Sequence, residues 1–265
     1  MTTTQSAVRQ TEQTTRDLFR TWEFTRWADA DELLPEEAWI LDHYLDRDTR
    51  TLEGGTGGAR ILRALLARGH RYLSGFDFVP EMIEAAKRRD PGARLELSVQ
   101  DARSLDYADS TFGQAVYLQQ LMSMLDGEAG RRQALGELRR VLVPGGVAVF
   151  SFLSDEARAA SMITASFRLY LDGFRTVTRS TREHRALPML RTGRRINWKA
   201  LLDVGPHMSW LRIPEIHDLL ESEGFAIVAV GVAPEVARGV LCSSCAELTR
   251  RDARGMVYAV CLSRG

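Results

Sequence analysis

The sequence predicts an α/β fold in which a doubly wound, mostly parallel sheet of seven strands carries helices on both faces. Strand-like and helix-like segments alternate from Arg50 onward, which is the pattern of strand–helix–strand units in a parallel sheet. The alternation stops after Ser154 and resumes near Ile213, so we expect a helical insertion after the fifth strand.

The predicted strands are short runs rich in β-branched, aromatic and aliphatic residues, and turn-forming residues separate them. In chain order they are Arg50–Glu53, Tyr72–Phe76, Arg94–Val99, Phe112–Leu118, Val147–Phe150, Phe225–Val232 and Gly255–Leu262. The fifth follows the turn Pro144-Gly145-Gly146, which directs the chain into an apolar strand.

The predicted helices carry one apolar face, and three of them begin at a proline. Pro35, Pro80 and Pro214 each have the fixed backbone angle that suits a first helical position. In chain order the helices are 11–30, 35–46, 61–69, 80–89, 129–142, 159–174 and 214–224.

This pattern divides the chain into three parts. Residues 1–47 are expected to form N-terminal helices that cover the active site, and residues 48–153 and 213–265 form the ligand-binding core. Residues 154–212 form the insertion, which we expect to act as a lid that recognises the substrate, because long insertions at sheet ends are often functional.

Composition excludes several classes of protein. The formal net charge is zero, so no overall field would attract nucleic acid or an anionic membrane. The polar opening residues and the absence of about 18 consecutive apolar residues argue against a signal peptide and a membrane span. Three cysteines are too few for a disulfide framework, and Cys242 and Cys245 are expected to be structural and not metal ligands. A cytoplasmic location is therefore expected.

The first candidate site is the glycine-rich turn after the first strand. Glu53 ends that strand, and Gly55 and Gly57 leave room for a ligand to approach the backbone. Open α/β sheets bind ligands at this edge, although a purely structural turn would have a similar sequence.

Two further acids follow the second and third strands. Asp77 comes about twenty residues after the glycines, where a carboxylate can accept both hydroxyls of a ribose, and Phe78 beside it could stack on a purine. Asp101, followed by Ala102, ends the third strand and could meet an adenine amino group. Each acid alone could be a helix cap or a turn former, but three strand-end acids converge on one crevice.

These segments resemble the class I S-adenosylmethionine-dependent methyltransferases, over roughly residues 48–155 and 213–263. The string from Leu138 to Gly146 is similar to the family's helix and turn before its fifth strand. The resemblance implies S-adenosyl-L-methionine as donor and S-adenosyl-L-homocysteine as product. It implies that the methionine part lies at Glu53, Gly55 and Gly57, the ribose at Asp77 and the adenine at Asp101.

The sequence departs from the family pattern at three positions. Ala59 replaces the third glycine, Gly113 stands where the fourth strand usually has an acid, and Gly54 replaces an apolar residue. A protein of this fold that binds the donor or a partner without catalysis therefore stays an alternative. A nicotinamide-dependent oxidoreductase is a weaker one, because Arg60 occupies the sixth place of the dinucleotide fingerprint.

The acceptor is expected to be a small molecule methylated on oxygen or nitrogen. Gln119, in Tyr117-Leu118-Gln119-Gln120, stands where similar enzymes that methylate nucleobase or amide nitrogens have an Asn/Asp-Pro-Pro-aromatic string. Gln119 is therefore predicted to face the donor or the acceptor, with a packing role as the alternative. The sequence leaves the oligomeric state open.

The remaining candidates concern acceptor recognition. His207 is the candidate base or substrate contact, and the candidate substrate-binding residues are Trp22, Arg194, Arg195 and Trp210. Residues 154–212 hold eleven basic and five acidic residues, whereas residues 1–50 hold six and eleven. The excess of arginine could recognise a carboxylate or phosphate on the acceptor, or it could form an ordinary solvated surface.

Overall fold

The computed structural model describes residues 28–29, 31–125, 127–158, 162–180, 182–192, 195–251 and 254–265. The strands are β1 (Thr51–Gly54), β2 (Leu73–Asp77), β3 (Glu96–Val99), β4 (Phe112–Tyr117), β5 (Leu142–Phe152), β6 (Ala186–Pro188), β7 (Arg191–Thr192), β8 (Arg195–Ile196), β9 (His207–Ser209), β10 (Phe225–Val232) and β11 (Val257–Ser263). The α-helices are α1 (Pro35–Tyr44), α2 (Arg60–Ala67), α3 (Pro80–Arg88), α4 (Leu121–Met124), α5 (Gly127–Val141), α6 (Asp155–Arg158), α7 (Met162–Thr178), α8 (Ile213–Ser222), α9 (Ala233–Val236) and α10 (Cys245–Arg250).

Seven strands form one twisted sheet in the order β10-β11-β5-β4-β1-β2-β3. The pairs β3–β2, β2–β1, β1–β4 and β4–β5 are parallel, whereas β11 runs antiparallel to both β5 and β10. The predicted doubly wound, mostly parallel seven-stranded sheet is therefore confirmed. Strand order reverses between β1 and β4, and ligands of open α/β sheets bind outside such a switch point.

The central strands are buried on both faces, as parallel strands covered by helices require. One face packs Phe76, Tyr117 and Phe150 into a core with α5 and α8, and the other packs Val116 and Val149 against α1 and α2. The two layers hold the carboxyl ends of the parallel strands at one fixed edge.

The insertion is only partly helical. Its helix α7 ends at Thr178, beyond the predicted end, and the rest contains a five-residue 3₁₀ helix, Trp198–Leu202, and the antiparallel pairs β6–β9 and β7–β8. Strands of two or three residues contain too few positions to show a period, so no sequence pattern predicted them.

The insertion lies at the carboxyl edge of the parallel strands. Strand β9 packs against α4, which directly follows β4. The Arg131 guanidinium, on α5, donates to the Ser209 hydroxyl at 2.8 Å and pairs with the Glu183 carboxylate at 3.1 Å. The lid role itself stays a prediction. In the part of the chain described above, no helix is long and apolar enough to cross a bilayer.

Candidate functional site

The glycine turn between β1 and α2 brings backbone, not side chains, to the edge of the sheet. Gly55 and Gly57 have φ values of +67° and +52°, which favour glycine because a Cβ would be strained there. A Cβ at Gly54 would lie 2.6 Å from Cε1 of Tyr117, so the buried tyrosine explains why the usual apolar residue is missing.

Glu53 is buried beneath this turn. Its Oε2 accepts a hydrogen bond from the Thr56 hydroxyl at 2.6 Å. Burial raises the pKa of the Glu53 carboxyl to about 8, against the lowering effects of Thr56 and the Arg60 charge. The carboxyl is therefore mainly protonated near neutral pH unless a positive charge lies beside it.

Asp77 joins the end of β2 to the glycine turn. Its Oδ2 accepts the N–H of Gly57 at 3.0 Å, and its Oδ1 accepts the N–H of Val79 at 2.9 Å. Burial raises the pKa of Asp77 to about 6, although these backbone donors oppose the rise. Each carboxylate oxygen has a second lone pair, so both can still accept a hydroxyl, as a ribose would require. The neighbouring Phe78 is half-buried.

Asp101 lies two residues beyond the end of β3 and not within the strand. Its carboxylate pairs with the guanidinium of Arg103 at 2.6 Å, and Ala102 between them is buried. The sequence reasoning missed the Arg103 partner, because an arginine two residues after an acid is common on any solvated turn. Since β1, β2 and β3 are adjacent and parallel, Glu53, Asp77 and Asp101 belong to one edge of the sheet.

Gln119 follows β4 in a strained turn. Gln119 and Gln120 both have positive φ values, 51° and 72°, which non-glycine residues rarely adopt and which concentrate at functional sites. The Gln119 amide donates to the carboxylate of Glu37, a residue of α1. The predicted contact of Gln119 with a ligand stays a prediction.

Sequence reasoning also missed Glu37, which is fully buried and pairs with Arg60 through both guanidinium Nη atoms, at 2.5 and 2.9 Å. It also accepts the N–H of Leu34 at 2.8 Å. The only signal in the sequence was a Glu in the first turn after Pro35, which indicates a helix cap and nothing more.

The chain before α1 crosses the glycine turn. The Ala28 carbonyl lies so close to Gly58 that a Cβ there would overlap it. Arg60 donates to the Glu32 carbonyl at 2.8 Å, and Arg63 to the Asp31 carboxylate at 2.6 Å. We call residues 28–29 and 31–34 the N-terminal strap.

His207 lies within the insertion and is buried. Its Nε2 is 3.1 Å from Oδ1 of Asp203, and its Nδ1 is 3.2 Å from the Arg182 guanidinium. Burial lowers the pKa of the imidazole, which favours its neutral form. Both ring nitrogens thus have protein partners, and the role of His207 as a base stays a prediction.

The other acceptor candidates are less well placed by the structure. Trp210 is half-buried and packs against a hydrophobic cluster that includes Phe167 and Leu171 of α7. Trp22 and Arg194 lie outside the described residues, and only the backbone of Arg195, in β8, is described. Their substrate contacts stay predictions. Among the residues that the structure describes, no cluster of three His, Cys, Asp or Glu side chains could hold a metal ion.

Comparison with known proteins matches this part of the fold to one family. Residues 52–150 match the model of the methyltransferase domain family. Over these residues the chain is similar to a methyltransferase domain, as the resemblance in its sequence implies. The match supports the predicted cofactor, S-adenosylmethionine, over the nicotinamide-dependent alternative.

Individual relatives of the methyltransferase domain are distant. A ubiquinone/menaquinone biosynthesis C-methyltransferase of Desulfotalea psychrophila is 37% identical over 97 residues, which span 36% of this chain and 37% of that protein. The structure is similar to an S-adenosylmethionine-dependent methyltransferase of Methanosarcina mazei, with a TM-score of 0.62, 18% identity and coverage of 89% of this chain and 99% of the other. It is also similar to the 1,6-didemethyltoxoflavin-N1-methyltransferase of Burkholderia thailandensis, solved with 1,6-didemethyltoxoflavin and S-adenosylhomocysteine, with a TM-score of 0.60, 17% identity and coverage of 97% and 91%.

Proposed function

We propose that this protein transfers a methyl group from S-adenosylmethionine to a small-molecule acceptor. The observation that carries the proposal is that Glu53, Asp77 and Asp101 lie at one edge of the sheet, beside a turn whose Gly55 and Gly57 have positive φ values. The family match over residues 52–150 supports it.

The residues present fit this donor. Asp77 would accept the two ribose hydroxyls, Phe78 and Asp101 would meet the adenine, and the turn from Gly55 to Gly57 would lie along the methionine part. S-adenosylmethionine, when bound, supplies a methyl group on a positively charged sulfur. The protein then needs to align the acceptor with that methyl in line and to exclude water, and we assign this role to the strap and the insertion.

Two properties of the acceptor are proposed separately: its charge and the atom that receives the methyl group. The basic insertion favours an acidic acceptor. Exposed basic residues of the insertion are therefore candidates for recognising the acceptor, in addition to Arg194 and Arg195: Arg179, Lys199 and Arg212. Oxygen or nitrogen is the acceptor atom expected from the sequence. The name of the D. psychrophila relative favours carbon instead, and isotopic labelling of the transferred methyl followed by NMR of the product separates these atoms.

Asp77 provides the test of donor binding. We expect Asp77→Asn to weaken S-adenosylhomocysteine binding by roughly 10- to 100-fold, because charge-assisted hydrogen bonds contribute about 1.5–3 kcal/mol. Isothermal titration calorimetry measures the affinity. The control is Asp48→Asn, which removes a carboxylate from an exposed ion pair with Arg71. Unchanged affinity in Asp77→Asn would contradict the assignment.

Binding without catalysis is the second candidate function, and the glycines at positions 54 and 113 motivate it. Calorimetry and a methyl-transfer assay on a panel of acceptors separate the two. Binding of the donor together with no methyl transfer to any carbon, oxygen or nitrogen acceptor of the panel, acidic or neutral, would support the binding role.

A further inference from the structure

Three charged side chains are buried together beside the glycine turn: Glu37, Glu53 and Arg60. Their exposed fractions are 0%, 4% and 6%. Arg60 uses both Nη atoms on Glu37, whereas Glu53 accepts the hydroxyl of Thr56. Arg60 therefore pairs with Glu37 and acts on Glu53 only through its charge, and the group has one negative charge in excess when both acids are ionised.

An unmatched buried charge is costly, so the group favours one additional positive charge. Without a ligand, a proton on Glu53 meets this need, and the raised pKa of that carboxyl is consistent with it. With a ligand at the glycine turn, a cation meets it instead. S-adenosylmethionine has a positive sulfonium that S-adenosylhomocysteine lacks, while their other charged groups are the same.

We propose that Glu37 makes the donor site prefer positively charged S-adenosylmethionine over its neutral-sulfur product. Glu37 neutralises the guanidinium of Arg60, so the negative charge of Glu53 stays available to a positively charged ligand. Glu37 is thus a positioning residue that acts through Arg60, and it lies on α1, outside the residues 52–150 that match the family model. This inference rests on the proposed function, because it requires the donor to bind at the glycine turn.

Removing the charge of Glu37 and removing the charge of Arg60 should change the ratio of product Kd to donor Kd in opposite directions. In Glu37→Gln, Arg60 is left to neutralise Glu53, so the ratio of product Kd to donor Kd should fall by about five- to tenfold. In Arg60→Gln the excess negative charge grows, so the ratio should rise. The double variant Glu37→Gln/Arg60→Gln has the wild-type charge balance and should recover the wild-type ratio.

Calorimetry with each ligand measures these ratios without any assay of activity. The control is Asp42→Asn, which removes one carboxylate from an exposed position of the same helix, where it pairs with Arg68. The control should keep the wild-type ratio. Equal losses of affinity for both ligands in Glu37→Gln, with no change in the ratio, would show that Glu37 only stabilises the fold and would overturn the proposal.

Wild-type protein gives a second test in case the single variants do not fold. An S-adenosylmethionine analogue with an amine in place of the sulfonium should bind more tightly than S-adenosylhomocysteine, and no preference for positively charged ligands would overturn the proposal. If neither S-adenosylmethionine nor S-adenosylhomocysteine binds to wild-type protein, the proposed function itself fails.

Discussion

The buried Glu53 carboxyl links the binding site to the stability of the ligand-free protein. Its pKa is about 8 in the folded chain, above the ordinary value of 4.5. The folded state keeps this proton over a pH range in which the unfolded chain has lost it. The stability associated with protonated Glu53 is therefore fully present below about pH 4.5 and is lost as the pH rises to about 8.

Glu53→Gln should remove this loss of stability at high pH. Glutamine does not titrate, and its side-chain oxygen can still accept a hydrogen bond from the hydroxyl of Thr56. We expect the ligand-free variant to be more stable than wild type by roughly 2–4 kcal/mol at pH 8 and by much less at pH 5. Urea unfolding at the two pH values measures the difference. Glu36→Gln, on α1, is the control, and a stability difference that does not vary with pH would refute the expectation.

The locations of individual candidate site residues could be predicted from the sequence where those residues lie at the ends of strands. Glu53 and Asp77 end strands, so the topology of a parallel sheet brings them together before any side chain is seen. Glu37 and Arg103 could not be predicted, because their partners are set by tertiary packing. Gln119 stands between these cases, since its place after β4 was predictable and its bond to Glu37 was not.

Within the insertion, Arg175 of α7 connects several segments that have little regular structure. Its buried guanidinium pairs with the Asp203 carboxylate at 2.7 and 2.8 Å. It also donates to the carbonyls of Glu183, His184 and Ala186. One side chain thus holds the loop after α7, β6 and the turn before β9 together.

Arg175→Gln should therefore loosen the insertion and leave the core intact. Loss of one partner from a buried ion pair costs about 3–5 kcal/mol, because the carboxylate of Asp203 stays buried without its cation. We expect faster proteolysis within residues 162–212, with little change in S-adenosylhomocysteine affinity. Arg179→Gln, exposed on the same segment, is the control. Equal protease resistance of the two variants would contradict this role.

Elements of the core could be predicted because their patterns are long and repeated. Six of the seven strands of the main sheet begin within two residues of the predicted position, whereas β5 begins at Leu142, five residues before Val147. The prediction placed a turn at Pro144-Gly145-Gly146, but pairing with β4 extends the strand through it, with a shift of register after Phe112. Tertiary pairing here overrides the local turn signal.

Across the whole molecule, the N-terminal strap and the insertion meet the same edge of the sheet. The strap is attached at Asp31, which accepts hydrogen bonds from both Arg63 and Arg89, and at Ala28, whose carbonyl also accepts from Arg89. The Asp31 carboxylate is largely exposed, so solvent and salt can compete for its partners.

Asp31→Asn should loosen the strap and speed the exchange of ligand at the glycine turn. We expect the dissociation rate of S-adenosylhomocysteine to rise by about two- to fivefold and no more, because solvent weakens exposed ion pairs. Stopped-flow displacement measures this rate. Asp42→Asn removes a similarly exposed pair with Arg68 away from the strap, and equal rates in the two variants would contradict the strap's role.

The antiparallel strand β11 has a consequence for synthesis of the chain on the ribosome. It lies between β5 and β10, although both are made before it. Until Val257–Ser263 emerge, β5 has an unpaired edge and β10 lacks its neighbour in the sheet. The nascent chain therefore exposes an apolar strand edge, which is an aggregation hazard, until β11 has been made. Completion of the sheet must therefore wait until Val257–Ser263 have left the exit tunnel.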